Sequence, residues 1–318
     1  MKCLDRIRVT DSVKLVYAKT TLKNHCKHIN AADLSFLEYA LMELGVNLYK
    51  HTGGGEIWFL EIEGELALAA LDHGQGIADP GWAMERGNSS VKNSLGLGLA
   101  TLNDHPAYRF ELFTLTKPHL HGTIALLKPK RSDQTLHYLS LPYSMAGSGD
   151  FLAQKGKLML FGDVAGHGSK AQQWATEIAN FFYNHTISCI TVDDFFQRLH
   201  HFLHQHHGRG VVLSLIQQNR KMWQLCGVGN VTVFYQTDEG CTMHHFCEGV
   251  IGTMPRKASL MDFDRIKGRL ILTTDGIETR GALELFGLFD LQTDADLAAL
   301  SLCWFAGTHD DQSVLILI

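Results

Sequence analysis

The stretch Leu158-Met-Leu-Phe-Gly-Asp-Val-Ala-Gly-His-Gly168 decides how the second half of this chain is read. Four apolar residues run into Gly162-Asp163, followed by the turn Gly166-His167-Gly168 and a helical pattern from Lys170 to Phe182. That order describes a buried strand carrying one carboxylate at its end, a tight turn and a helix start. A carboxylate held on rigid backbone beside glycines suits a hard cation such as Mg²⁺ or Mn²⁺. One Asp is not a metal site, so the question is whether other segments supply more.

They do. Residues 135–141 are a strand candidate, and Ala146-Gly-Ser-Gly-Asp150-Phe151 presents a glycine-flanked Asp before the next apolar run. Helices are expected over residues 169–185 and 192–206, then strands over 210–217, 221–226, 231–236 and 241–246, with Gly227-Val-Gly-Asn230 as a turn. Leu270-Ile-Leu272 lies in a buried strand ending in Asp275-Gly276, and His309-Asp310-Asp311-Gln312 leads into a last strand over 313–318. Asp150, Asp163, Asp275 and Asp310 therefore all stand at strand ends. Four such carboxylates can converge above a sheet and hold two divalent cations, the arrangement for two-metal phosphoryl hydrolysis. Taken singly, each Asp reads as a turn residue bonding its own backbone. Cys226, beside Gly227 with no His nearby in sequence, reads as core, so no covalent nucleophile stands out.

Ser148-Gly-Asp150, Gly162-Asp163-Val-Ala-Gly-His-Gly168, Gly227-Val-Gly-Asn230, Thr274-Asp275-Gly276 and Asp310-Asp311-x-Ser-Val resemble the PPM family of metal-dependent Ser/Thr phosphatases, in its SpoIIE-like branch. The resemblance implies a PPM-type α-β-β-α sandwich over residues 131–318, with Asp163 catalytic and bridging two Mn²⁺ or Mg²⁺. Asp150, Asp275 and Asp310 would complete the metal shells. Many relatives outside this branch have glycine directly after the bridging Asp and use its carbonyl; here Val164 would offer the same atom. Asp311 would order a water or cap a turn, and His167 would be a turn residue or a general acid.

The first half holds a second pattern. Residues 7–9 are a strand candidate and residues 12–28 a helix. Leu34, Leu37, Leu41, Leu44 and Leu48 then recur at helical spacing, with Asn30 or Asp33 able to cap the start. Glu43 and Asn47 lie four apart on that helix and share a face. Residues 56–62 and 65–71 alternate as two strands around Glu63-Gly64. Asp72-His-Gly74-Gln-Gly76 follows, then a polar stretch over 78–94, Leu95-Gly96-Leu97-Gly98 at a helix start, and strands over 108–116 and 122–127. Glycines opening a helix can cradle phosphate with bare N–H groups, though alone they signal only close packing.

In that order these motifs resemble the GHKL ATPases, most closely the anti-sigma-factor serine kinases of the RsbT type, with residues 43–55 matching their N box. The resemblance implies an α+β chain whose residues 1–130 form a GHKL-type sandwich, a mixed sheet with helices on one face, binding ATP with Mg²⁺. Glu43 would act as base, Asn47 would coordinate Mg²⁺, and Asp72 would accept from the adenine amino group, supported by Thr123. Gly74 and Gly76 would let backbone approach the base. Gly96 and Gly98 would hold phosphates under a lid over residues 78–95. Lys50 would reach a phosphate or be solvated. Gln75 departs from the Pro or small residue usual there.

Joined, the halves imply a bifunctional regulator of a bacterial partner-switching pathway. A kinase would phosphorylate a STAS-domain antagonist, a phosphatase would remove that phosphate, and a sigma factor is one output. The alternative is an ATP-binding module that holds the STAS protein or sigma factor without phosphotransfer, beside an active phosphatase. A homodimer is open. The 45% apolar and 19% charged composition is that of a globular protein, and a net charge of −5 gives no nucleic-acid footprint. Seven Cys without a C-x-x-C pair, no leader-like start and no apolar run near the ~20 residues of a span point to a reduced, cytoplasmic protein with no membrane segment. The cluster His200, His201, His204, His206 and His207 reads as a solvated helix end or a metal tract. The polar segment 128–134 marks the domain boundary.

Overall fold

The structure, a computed structural model, describes residues 1–27, 29–87, 98–130, 135–143, 146–185, 191–254 and 257–318. The chain divides into two compact units, Met1–Asp133 and Gln134–Ile318.

In the first unit, β1 (Lys2–Val9) leads to helices α1 (Ser12–His25) and α2 (Ala31–His51), then to strands β2 (Gly55–Ile62) and β3 (Glu65–Asp72). Two short helices, α3 (Pro80–Met84) and α4 (Gly98–Leu102), precede strands β4 (Tyr108–Lys117) and β5 (Leu120–Pro129). Asn30, not Asp33, caps α2: its side chain accepts from the Asp33 N–H at 2.9 Å. Leu37, Leu41, Leu44 and Leu48 form the buried stripe of α2, each contributing about 1.5–3 kcal/mol by leaving water. They pack with Leu15 and Leu22 of α1 on one sheet face, against Ile57, Phe59, Leu68 and Ala70. Glu63 and Gly64 take positive φ of 53° and 81°, the turn that matches hairpin twist.

Strand order is β1-β2-β3-β5-β4. Every pairing is antiparallel, which corrects the expected mixed sheet. β2–β3 and β4–β5 are hairpins, and the α1–α2 excursion returns β2 beside β1 in the opposite sense. β5 also runs two residues into the expected linker, because Lys128 and Pro129 pair with Arg109 and Tyr108. Residues 88–97, including Gly96 and part of the expected lid, and residues 131–134 of the expected linker lie outside the described residues.

In the second unit come strands β6 (Leu136–Leu141), β7 (Asp150–Lys155) and β8 (Leu158–Val164), followed by helices α5 (Ser169–Asn184) and α6 (Val192–Gln205). Strands β9 (Val211–Gln218), β10 (Met222–Val228), β11 (Thr232–Thr237), β12 (Gly240–His245), β13 (Ser259–Asp264) and β14 (Gly268–Thr273) follow. Helices α7 (Thr279–Phe286) and α8 (Leu291–Phe305) precede β15 (Gln312–Leu317). Two antiparallel five-stranded sheets result, β13-β10-β9-β8-β7 and β12-β11-β14-β15-β6. Alternation along β8 sorts its side chains: Met159 and Phe161 enter the layer between the sheets with Trp223, Leu272 and Leu315. Leu160 and Val164 face α5 and α6, meeting Ile178, Phe182 and Leu199. On the other sheet α8 packs against β6 and β15. The unit is thus helices, sheet, sheet, helices, and the chain as a whole is mixed α+β. No helix among the described residues is long and apolar enough to cross a membrane.

Candidate functional site

The carboxylates of the second unit are built onto strand ends. Asp150 opens β7 and Asp163 lies near the end of β8, and the two are direct register partners in the antiparallel pair. From the other sheet, Thr274 follows β14 and donates its Oγ1–H to Asp150 Oδ2 at 2.9 Å. Thr274 Oγ1 also accepts the Ser313 N–H at 3.0 Å, which fixes the start of β15 to the same point. Asp275 comes next in chain and accepts from Asn230 Nδ2 at 2.8 Å, so the turn motif Gly227–Asn230 orients an acidic group from a neighbouring strand end. Asp275 and Asp310 are exposed, and Asp163 is half-buried.

Electrostatics ties these groups together. Burial pushes the Asp163 carboxyl well above the carboxylate range, and the charges of Asp150, Asp275 and Asp310 push it further. Asp150 is raised by burial first, against a lowering by its hydrogen bonds, with Asp311 and Asp275 adding to the rise. Asp275, exposed as a residue, is raised by the partial desolvation of its carboxyl and then by the charge of Asp310. Asp150 Oδ1 is buried without a hydrogen-bond partner, the condition of an oxygen whose burial calls for a cation or donor. Among the described residues no three His, Cys, Asp or Glu side chains are gathered closely enough to hold a metal ion by themselves. Hard divalent cations often take one or two carboxylates and keep several waters, so a spread acidic set with one orphaned oxygen fits them.

Asp311 has a different job. It is 3% exposed, and its two oxygens accept the Tyr143 N–H at 2.7 Å and the Gly149 N–H at 2.9 Å. It pins the backbone that delivers Asp150. An added Cβ on Gly276 would strike the Asp311 carbonyl, its carbon at 2.7 Å, so a glycine is needed where these two loops touch. His167 is exposed and sits edge-on to Tyr143. Sequence reasoning missed Arg209, whose Nη1 donates to the Ala165 carbonyl at 2.8 Å and holds the loop after Asp163. The signal was Gly208-Arg209-Gly210, a charged residue between glycines at a strand start. In the histidine cluster, His200 Nδ1 accepts the Gly252 N–H at 3.0 Å. That leaves the proton of its neutral ring on Nε2 and removes it as a ready metal ligand.

The first unit places its set at the other end of β3 from the β2–β3 turn. Asp72 closes β3, is 6% exposed, and accepts the Gly74 N–H at 2.7 Å. Burial is the largest influence on its carboxyl and raises it. Thr123 is its register partner on β5. Thr114, not foreseen, knits this corner: its hydroxyl accepts the Ile77 N–H at 2.7 Å and lies 3.3 Å from Thr123 Oγ1. His121 Nδ1 donates to the Gly74 carbonyl at 2.7 Å, and Gly76 takes a φ of 75°. Glu43 and Asn47 are half-buried on α2, and Lys50 is exposed in its last turn. An added Cβ on Gly98 would meet the Glu43 carboxylate, its Cδ at 3.0 Å. The acidic side chain therefore lies against the first residue of α4, at the positive end where a phosphate was expected.

No family model matches the chain, and no curated protein matches it. Solved structures do. One comes from work on the bacterial stressosome as a modular system adapted to control secondary messenger signalling: 20% identity, 58% of this chain, 98% of that chain, TM-score 0.47. RsbX in complex with magnesium shows 17% identity over 65% of this chain and 98% of its own, with TM-score 0.47. The RsbU and RsbW domains of Rv1364c from Mycobacterium tuberculosis show 17% identity over 57% of this chain and 58% of theirs, with TM-score 0.49. At these identities and scores the likeness assigns neither a family nor an activity.

Proposed function

We propose that Gln134–Ile318 is a metal-dependent phosphoserine/phosphothreonine phosphatase of the SpoIIE-like PPM type. The observation that carries this is the Asp150–Asp163 register pair, with the Asp150 Oδ1 buried and unpartnered. Asp150, Asp163, Asp275 and Asp310, with the Val164 carbonyl, would hold two Mn²⁺ or Mg²⁺. Bound there, such ions supply Lewis acidity towards a phosphoryl oxygen and an acidified water. The chain's own part is positional: Thr274 fixes Asp150, Asn230 fixes Asp275, and Asp311 fixes the loop that carries Asp150. The test is Mn²⁺-dependent release of phosphate from a phosphorylated STAS-domain protein. Asp163→Asn is expected to abolish it, and a fully active variant would sink the assignment.

The first unit, in the same reading, is a GHKL-type, RsbT-like ATP-binding unit that phosphorylates the same STAS antagonist, giving a bifunctional regulator of partner switching in the cytoplasm. Its support is the buried Asp72 beside Thr123 and the left-handed Gly76 loop knitted by Thr114. Titration with Mg²⁺-ATP tests it: no binding by the wild-type chain rejects it. The packing of Glu43 against Gly98 favours a second reading, in which this unit binds ATP and partner without phosphotransfer. Transfer of labelled phosphate from ATP to the STAS protein separates the two.

A further inference from the structure

The β7–β8 ladder breaks one rung beyond its acidic pair. Asp150 and Asp163 are register partners, so Gly149 and Val164 form the next rung. The Val164 N–H donates to the Gly149 carbonyl at 3.2 Å. That bond marks the rung as a hydrogen-bonded one, in which each residue gives its N–H to the other's carbonyl. Only half of the exchange is made. The Gly149 N–H turns instead to Asp311 Oδ2, at 2.9 Å, and β7 starts at Asp150. On the β9 side the next residue makes the bond, the Ala165 N–H donating to the Gly210 carbonyl at 2.8 Å. The Val164 carbonyl is left without a donor among the described residues.

A second observation, independent of the bond pattern, is burial. Val164 is 0% exposed, so bulk water does not serve its carbonyl either. A buried carbonyl with no partner is rare and costly. Glycine keeps the space in front of it: a Cβ on Gly149 would lie 2.6 Å from the Val164 oxygen. Asp150 Oδ1, on the adjoining rung, is also a buried oxygen without a partner. Asp311 wins the Gly149 N–H because a hydrogen bond to a carboxylate is roughly twice as strong as one to a neutral carbonyl. Its other oxygen accepts the Tyr143 N–H at 2.7 Å, which fixes the direction of the carboxylate.

We propose that Asp311 is a positioning residue for the cation site. By taking the Gly149 N–H it withholds that donor from Val164 and keeps the Val164 carbonyl open as an oxygen ligand. Hard divalent cations take backbone carbonyls alongside carboxylates, so a freed carbonyl next to Asp163 adds a ligand without adding charge. Without Asp311 the rung closes: the Gly149 N–H returns to Val164, and the carbonyl is spent on the ladder. The inference rests on the phosphatase reading of Asp150, Asp163, Asp275 and Asp310, and assigns Asp311 a part in it that is not ligation.

Mn²⁺ titration of the full chain tests this, read by calorimetry and by electron–nuclear double resonance on protein carrying carbonyl-¹³C valine. Wild type should bind Mn²⁺ and show a directly coupled valine carbonyl carbon. Asp311→Ala should lose that coupling and weaken binding by about ten- to a hundredfold, the range for groups that orient metal ligands. Asp311→Asn keeps an oxygen for the Gly149 N–H and should hold the coupling, with affinity within about threefold of wild type. If Asp311→Ala fails to fold, Asp311→Ser, too short to hold both N–H groups, takes its place with the same expectation. His137→Ala, which breaks a buried pair elsewhere in the unit, controls for general softening and should leave the affinity within about threefold. No Mn²⁺ binding by wild type would reject the phosphatase reading and this inference together. Mn²⁺ binding without the valine coupling, or as tight in Asp311→Ala as in wild type, would overturn this inference alone. So would an equal loss in Asp311→Ala, Asp311→Asn and His137→Ala.

Discussion

Asp150 and Asp163 face each other across the β7–β8 ladder, two carboxylates fixed as neighbours by backbone register rather than by side-chain choice. Both are raised above the ordinary value of 3.8, by burial first. The folded protein therefore holds these protons more tightly than the unfolded chain does. Their stabilising contribution is complete below that ordinary value and is lost as pH rises through the raised folded values. Without metal, Asp163→Asn should melt higher than wild type near neutral pH, by of order 1 kcal/mol or about 2–4 °C, and the gap should close in acid. Saturating Mn²⁺ should reverse the ranking, since a ligand at a hundred times its dissociation constant adds about 2.7 kcal/mol to the form that binds it. Melting curves against pH, with chelator and with Mn²⁺, read both effects. An unchanged gap from acid to neutral would remove the electrostatic account of this pair.

Gly98 and Glu43 give a prediction that separates function from stability. A methyl group on Gly98 meets the far end of the Glu43 side chain, not backbone. The side chain can swing away, so Gly98→Ala should cost less than about 1 kcal/mol. The displaced carboxylate should nonetheless change Mg²⁺-ATP affinity or phosphotransfer by at least about tenfold if Glu43 works where it stands. Gly287→Ala is the control: Gly287 has a φ of −69° with nothing within 4 Å of the added carbon. It should be neutral or stabilising by about 0.4–1 kcal/mol. Nucleotide titration and thermal melts on the two variants decide the matter.

Among the described cysteines, Cys247 is exposed while Cys26, Cys226 and Cys303 are buried. Burial pushes the Cys26 and Cys226 thiols up to about 11, away from the reactive thiolate. Brief iodoacetamide treatment of the native protein should therefore label Cys247 first among these, with Cys26 and Cys226 labelled only on unfolding. Early labelling of Cys226, read by peptide mass mapping, would contradict its place in the core.

Periodic segments were legible in the sequence because their burial is one-sided. The leucine stripe of α2 carries its face in its spacing, whereas β8, buried on both faces, was legible as an unbroken apolar run into Gly162-Asp163. α8 was not legible: Ala298, Ala299, Leu300 and Leu302 are all buried, so no polar face marks a helix. Nor was β13, whose Leu260 is 76% exposed and breaks the inward pattern. At the acidic site the candidate residues could be named from motifs, but not what holds them. Asp311 bonds Tyr143 and Gly149 from well over a hundred residues away in chain, and Thr274 reaches Asp150 across two sheets. Such contacts depend on how strands are ordered in a sheet, which local spacing does not encode.

His137 of β6 and Asp296 of α8 meet in the interior of the second unit, Nδ1 to Oδ1 at 2.8 Å, 9% and 5% exposed. The pair fastens α8 to the edge strand of its sheet. Removing one partner strands a buried polar group, so Asp296→Ala or His137→Ala should each destabilise by about 3–5 kcal/mol. Replacing both by leucine removes the desolvation penalty with the bond, and this double variant should be more stable than either single one. His137 pairs with Ile316, four residues along the β6–β15 ladder from the Leu141–Gln312 rung that borders the acidic site, so metal-dependent phosphate release by the folded double variant should stay within about threefold of wild type. Urea titrations of the four proteins complete the cycle. Additive losses in the double variant would mean that the two side chains are not coupled, and that α8 is held by its apolar face alone.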